Sequence, residues 1–399
     1  MGYLMVIYKK EQEQEKICTL IVFTIILDIC IFIVNAVTLT IIGQTPIDTA
    51  LVYGVYAGYF ALTLPHFLRK LNKKMIVFFI LLIIFIACSH LRNNSLFDMQ
   101  TLLLSSYWEI LIGIFMGSSV EDFGLLLNKF NKIARPIASS MVIVVYIYNN
   151  VLLTVWGSGA MGLSYMLLIV AILLMYKIYY KFNVIDCVLL VTILWTMFFQ
   201  GSRGPMLSFF IYVLLLLIIN LKNYKKKNII ILMSLVSLIV IVFANLYEII
   251  EVLQVIIEKL GYRAKIFTWF VDGKLFNLNG RDSIEAEAMQ LIEKNPIFGY
   301  GIFGERNIIG SYVHNLFFEI TLDFGIVFGG FLIITIFCIF LFDFLKAEKN
   351  KRNVFIILIS AYIVKLFMSG SFWTEFAFFM VLSISFLNSK SAYNQSGNT

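Results

Sequence analysis

Apolar runs of about 17 to 25 residues, the length a helix needs to cross a bilayer, recur along this chain of 399 residues. Hydrophobic residues make up 60% of it and charged residues 14%, against roughly half and a quarter in soluble domains. The chain therefore reads as all-α, a polytopic membrane protein whose core is the helix bundle itself. Spans are expected at 17–42, 47–64, 75–90, 98–118, 136–155, 162–178, 184–200, 205–221, 228–247, 313–342, 353–369 and 375–388, about twelve in all. One long stretch breaks the pattern. From Glu248 to Ser311 the apolar runs stop, and charged residues, glycines, asparagines and a proline crowd together.

A net charge of +7 raises the question of nucleic acid, and the placement of the charge answers it. The basic residues cluster in short loops between apolar runs: Lys9, Lys10 and Lys16, then Arg69, Lys70, Lys73 and Lys74, then Lys129, Lys132 and Arg135. Lys177 and Lys181 follow, with Lys222 and Lys225–Lys227, then Lys346, Lys349, Lys351 and Arg352, and Lys390 near the end. The alternate short loops carry only Arg92 and Arg203, while the long stretch 248–311 carries seven, and long translocated loops count little. Lysine and arginine in short loops mark the cytoplasmic side, so both termini are expected there and 248–311 is expected to be extracytoplasmic. Cys18, Cys30, Cys88, Cys187 and Cys338 all lie in apolar runs, and no disulfide framework is implied. The first apolar run exceeds a signal-peptide core and is read as a retained helix. The polar tail 389–399 is expected to be disordered.

Within the polar stretch, 248–260 carries acidic and polar residues every three or four places, as on an amphipathic helix. It suits either the membrane surface or the side of the bundle. Asn279-Gly280 signals a turn. Asp282 and Glu285 then resemble an acidic capping box, opening a helix that ends near Lys294 at Asn295-Pro296. Arg281 would sit just before that helix. Backbone N–H groups at a helix start favour anions, and an arginine fork grips phosphate bidentately. Gly299-Tyr300-Gly301-Ile302-Phe303-Gly304 matches a dinucleotide fingerprint in letters only, because that motif requires a strand before it and a helix after it. Its glycines are read as shaping a loop that brings Arg281 towards His314.

His314, beside Asn315 at the mouth of a span, is one of three histidines. Its ordinary pKa suits proton transfer near neutrality. No HExxH or Cys/His cluster accompanies it, so no catalytic metal and no cofactor is expected. Upstream, Arg203 stands in the turn Gln200–Pro205, either snorkelling or holding a lipid phosphate. Asp28, Glu109 and Lys365 fall inside spans, where ionisable residues default to paired or functional roles. Lys365 and Glu375 flank the turn Ser369–Trp373, close enough in sequence to pair with each other.

These pieces together resemble the O-antigen polymerase and O-antigen ligase superfamily of bacterial surface polysaccharide assembly. The matching elements are Gly201-Ser202-Arg203-Gly204 opening a span, Gly280-Arg281 in a large outer loop, Pro296–Gly301, His314–Glu319, and Asp323-Phe324-Gly325. They cover about residues 200–330 by motif. The resemblance implies a GT-C-like bundle and a metal-independent, inverting glycosyltransferase in the bacterial cytoplasmic membrane. Its donor would be a polyprenyl diphosphate-linked oligosaccharide, and its pathway partners a flippase and a chain-length regulator. Arg203 and Arg281 would stabilise the departing diphosphate, and His314 would take the proton of the acceptor hydroxyl. Asn315, Glu319 and Asp323 would support His314, with Ser202 and Lys365 as further support at the substrate. The region around Arg281 is shorter and less aromatic than the family pattern. That leaves a ligase as the alternative to the expected polymerase. A flippase and a peptidoglycan-type glycan polymerase are the rivals outside it. A flippase would place its polar groups nearer the bilayer midplane, in repeated or broken helices.

Overall fold

The computed structural model describes residues 2–41, 73–93, 107–147, 160–200, 202–220 and 281–387, with isolated residues between 54 and 71 and between 248 and 255. Most of the expected span 47–64, the span 228–247, most of the stretch 248–260, the Asn279-Gly280 turn and the tail 389–399 lie outside the described residues. Among the described residues every regular element is helical. In chain order these are α1 (Gly2–Ile41), α2 (Lys73–Asn93), α3 (Tyr107–Ser119), α4 (Phe123–Ile147), α5 (Ala160–Tyr180) and α6 (Val184–Phe199). There follow α7 (Arg203–Ile219), α8 (Arg281–Lys294), α9 (Arg306–Ile309), α10 (Leu316–Lys346), α11 (Lys349–Leu358) and α12 (Phe376–Phe386). Two helices among the described residues are long and apolar enough to cross a membrane, Met161–Tyr180 and Leu316–Lys346. Shorter apolar helices cover Met75–Ile84, Glu109–Ser119, Val184–Phe198, Arg203–Ile219 and Phe376–Phe386. Fewer separate spans are described than the twelve expected.

Several boundaries differ from expectation for identifiable reasons. The helix expected from residue 17 begins at Gly2, because its polar first turns have work to do. Gln14 is buried; it donates to the Ser119 carbonyl (3.1 Å) and accepts from the Glu121 and Asp122 amides (2.8 and 3.3 Å). Lys10 pairs with Glu121 at 2.8 Å. The basic cluster 129–135, expected as a loop, is helical within α4, and Pro136 is accommodated inside that helix. The span expected at 353–369 is broken. After α11 the backbone passes through a π-helical turn (Ile359–Ile363) and a 3₁₀ turn (Val364–Phe367). Gly370, at φ 89°, then turns the chain, and a 3₁₀ turn (Phe372–Thr374) leads into α12.

The chain divides into two compact units, one of residues 1–133 with 279–399 and one of residues 134–278. In the first, α3 lies closely against α12. A Cβ at Gly113 would stand 2.2 Å from the Phe376 carbonyl oxygen, and one at Gly117 2.2 Å from that of Met380. This is the small-xxx-small spacing that lets membrane helices approach backbone to backbone. The Ser383 hydroxyl spans the same contact to the Ile114 carbonyl at 2.8 Å. In the second unit, α5 packs with α6 and α7. Arg135 grips the buried Asp186 through both carboxylate oxygens, at 2.7 and 3.0 Å. Lys177 stands 3.5 Å from the same carboxylate. Asn183 caps α6 by accepting from the Ile185 amide at 3.0 Å.

Candidate functional site

The site builds on α8 and the first turns of α10, both in the first unit. Ile284, Ala288, Leu291 and Ile292 recur at the spacing of one helical face. They pack against Val313, Leu322, Ile309 and Phe318, with Ala288, Leu291, Val313 and Leu322 fully or nearly fully buried. Each such aliphatic side chain contributes about 1.5–3 kcal/mol by leaving water, so this seam fixes α8 beside α10. Arg281 is the first residue of α8 rather than the residue before it, which puts Asp282 inside the first turn. There Asp282 complements the helix dipole instead of capping the helix as expected.

The glycine-rich stretch is the loop that closes this arrangement. The Tyr300 and Gly301 amides donate to the Leu322 and Asp323 carbonyls (2.6 and 3.0 Å), and the Ile326 amide donates to the Pro296 carbonyl (2.6 Å). The loop thus lies along α10 where that helix is interrupted at Gly325 (φ 79°, ψ 169°). A Cβ at Gly325 would stand 2.1 Å from the Ile297 carbonyl oxygen, and one at Gly299 2.3 Å from that of Leu322. Close main-chain approach, not nucleotide binding, accounts for both glycines.

His314 follows this loop and precedes α10. Its backbone is left-handed (φ 58°), a region uncommon for a non-glycine residue. Its ring lies 4.1 Å from that of Tyr312, tilted at 54°. Its Nδ1 is buried and makes no hydrogen bond among the described residues. Burial holds the imidazole below its ordinary pKa, and the positive charge of Arg281 pushes the same way. The structure thus brings Arg281 and His314 into electrostatic reach of each other. Asn315 accepts from the Phe317 amide at 3.0 Å and caps α10.

Glu319 and Asp323, one turn apart on α10, are buried and turn to partners other than His314. Glu319 accepts from the Phe372 amide (3.1 Å) and from the Ser371 hydroxyl. Asp323 accepts from the Trp373 indole (2.7 Å) and the Phe303 amide (3.2 Å). Arg306, which the sequence did not single out, completes the group. Its Nη2 donates to Ser371 (2.8 Å) and Glu319 (3.2 Å), and its guanidinium lies 3.8 Å from the centre of the Phe303 ring. Glu305, fully buried, stands 3.6 Å from Arg306 Nε. Burial and the Glu319 charge push its carboxyl up to about 7, against the pull of Arg306. The one signal in the sequence was the adjacent pair Glu305-Arg306, which looks like a solvated pair until its partners are known.

The remaining expected residues lie elsewhere. Lys365 forms an ion pair with Glu375, as the sequence allowed, and shares an electrostatic neighbourhood with Asp28 and Glu109. Ser202 is buried and precedes α7, whose first residue is Arg203. Both belong to the second unit. Among the described residues no three His, Cys, Asp or Glu side chains converge as metal ligands do.

No curated protein and no solved structure matches the chain. A family model described as O-antigen ligase matches residues 188–334, a segment containing Arg203, Arg281, Arg306, His314, Glu319 and Asp323 but not Lys365. On that match residues 188–334 are similar to the O-antigen ligase family.

Proposed function

We propose that this protein is a surface-polysaccharide polymerase, transferring a growing glycan from polyprenyl diphosphate to a sugar hydroxyl of a lipid-linked repeat unit. The observation that carries the reading is that Arg281 stands within electrostatic reach of His314 inside the family-matched segment. His314 is at a left-handed backbone position before α10, with its imidazole held below its ordinary pKa by burial and that charge. A neutral imidazole accepts the hydroxyl proton as the acceptor oxygen bonds to the anomeric carbon. The bond from that carbon to the diphosphate breaks in the same displacement, inverting the centre, and the electron pair leaves on the phosphate oxygen. Arg281 stabilises the charge that develops there. Arg203 is assigned to the same diphosphate on sequence order alone. The reaction needs no metal. The topology that goes with it has about twelve spans in the bacterial cytoplasmic membrane, both termini cytoplasmic and 248–311 outside, where lipid-linked repeats delivered by a flippase await extension.

The test is complementation of a deletion strain with His314→Ala, Arg281→Ala and Arg203→Ala, with polymer length read on gels and protein level in membranes. Losses of about 10²–10⁴-fold are expected for His314→Ala and about 10²–10³-fold for each arginine. Normal long polymer from all three at normal protein level would sink the assignment. A second reading, transfer of finished glycan onto a different lipid acceptor, is favoured by the description of the matched family as a ligase. Purified protein given lipid-linked repeats alone separates the two, since only a polymerase then makes a ladder. Chelators leave either reaction unchanged.

A further inference from the structure

A general base is usually held in place by a hydrogen bond to a carboxylate or carbonyl on its far nitrogen, and His314 lacks that device. Its Nδ1 is without a hydrogen-bond partner among the described residues. The nearby polar groups of the right kind are committed elsewhere: Asn315 to the Phe317 amide, Glu319 to Ser371, Phe372 and Arg306, Asp323 to Trp373 and Phe303. What touches the imidazole is a ring. Tyr312 lies 4.1 Å from it, and the Arg306 guanidinium lies 5.9 Å from the centre of the Tyr312 ring and 3.8 Å from that of Phe303.

We propose that Arg306 is a positioning residue for His314: anchored by Ser371 and Glu319, its guanidinium holds the Tyr312 ring, 5.9 Å away, against which the imidazole lies. The inference builds on the reading of His314 as general base. Arginine suits the task because one flat group can donate hydrogen bonds at its edge while stacking through its faces. The backbone shows why a support is needed. Phe303 and His314 are the two non-glycine residues with positive φ among the described residues, at 60° and 58°. They stand at the two ends of this row of groups. Such conformations are strained and persist where the surroundings fix them. The charged groups around the assembly are Arg281 from α8, on the His314 side, and Glu305, Glu319 and Asp323 around Arg306.

Arg306→Lys tests the idea, since it keeps the charge and loses the plane. Tyr312→Leu, which leaves the buried carboxylates untouched, is the second variant and keeps the test valid if the first does not fold. Each is purified as the full chain carrying His66→Gln and His90→Gln, so that the remaining imidazole is read by nitrogen NMR as pH is varied. The transfer rate on a polyprenyl diphosphate-linked repeat is followed alongside. Release from the ring solvates His314, so its midpoint moves up towards the ordinary histidine value, and the acid limb of the rate profile moves up with it. The turnover number falls on the order of 10²-fold with KM little changed. An unchanged midpoint and acid limb in a folded variant overturns the positioning role, whatever His314 does. Full activity in His314→Ala instead overturns the general-base reading. The NMR midpoint then still decides whether Arg306 holds the ring.

Discussion

Two groups of charge in the first unit, each partly or fully buried, have the same formal make-up. Glu305, Glu319 and Asp323 gather on Arg306, and Asp28, Glu109 and Glu375 gather on Lys365. Their construction differs. The arginine group is tied into the main chain, with amides of Phe303 and Phe372 and the side chains of Ser371 and Trp373 all donating to its carboxylates. The lysine group draws single residues from α1, α3, the 3₁₀ turn after α11 and the start of α12, around one ion pair. A guanidinium, with five donors in a plane, can organise a loop and two helices at once, whereas an ammonium is a compact point charge. The comparison teaches that the first group shapes the backbone before His314, while the second neutralises charge inside the bundle.

The largest test of that contrast is Glu319→Ala against the double variant Lys365→Met/Glu375→Met. Removing Glu319 leaves Arg306, Ser371 and the Phe372 amide without their shared acceptor and is expected to cost about 3–5 kcal/mol. It is read as a lower thermal midpoint or as loss of monodisperse protein in detergent. Replacing both members of the lysine ion pair removes charge and countercharge together, and such swaps are often close to neutral. A double variant more damaging than Glu319→Ala would break the comparison. Next in size is Trp373→Phe, which keeps most of the ring packing and strands one oxygen of Asp323 without its donor. Roughly 1–3 kcal/mol is expected, measurable as a midpoint shift that Asp323→Asn would not simply add to.

A test that depends on pH sharpens the role of Glu305. Its carboxyl is pushed up to about 7 in the folded protein, against an ordinary glutamate value of about 4.3. Folding therefore favours its protonated form. The stability it contributes is complete below the ordinary value and is lost as pH rises through about 7. Glu305→Gln, which stays neutral, should melt with the parent protein at pH 4 and above it at pH 8. Equal midpoints at both pH values would show that Glu305 does not carry this dependence.

Much of this architecture was legible in the residues, and some was not, for a physical reason. Helix α8 ends where Asn295-Pro296 stops it, and α10 opens at Asn315 because that side chain caps it; both signals are local. The glycine-rich stretch was legible as a loop rather than a nucleotide site, and Gly299 and Gly301 do stand at positive φ. The arginine group was not foreseeable. Arg306 reaches 13 residues to Glu319 and 65 to Ser371, and nothing at position 306 announces either partner. The π and 3₁₀ turns at Ile359–Phe367 were hidden for a related reason. Hydropathy reads that stretch as one apolar run, and the break owes nothing to a proline or glycine within it. Glu319 and Asp323 were expected to support His314, but both are buried against other partners, Ser371 and Phe372 for the first and Trp373 and Phe303 for the second.

The contact between the loop and the interruption at Gly325 has a consequence for how such a protein can change over generations. Its register is written in amide-to-carbonyl bonds from Tyr300, Gly301 and Ile326, which any side chain can supply. Ile297 and Phe298, on the same loop, are largely exposed. The contact is held by the glycines and the main chain, so its register does not depend on which side chains stand at 297 and 298. A lineage can therefore change what the loop presents at its surface without moving His314.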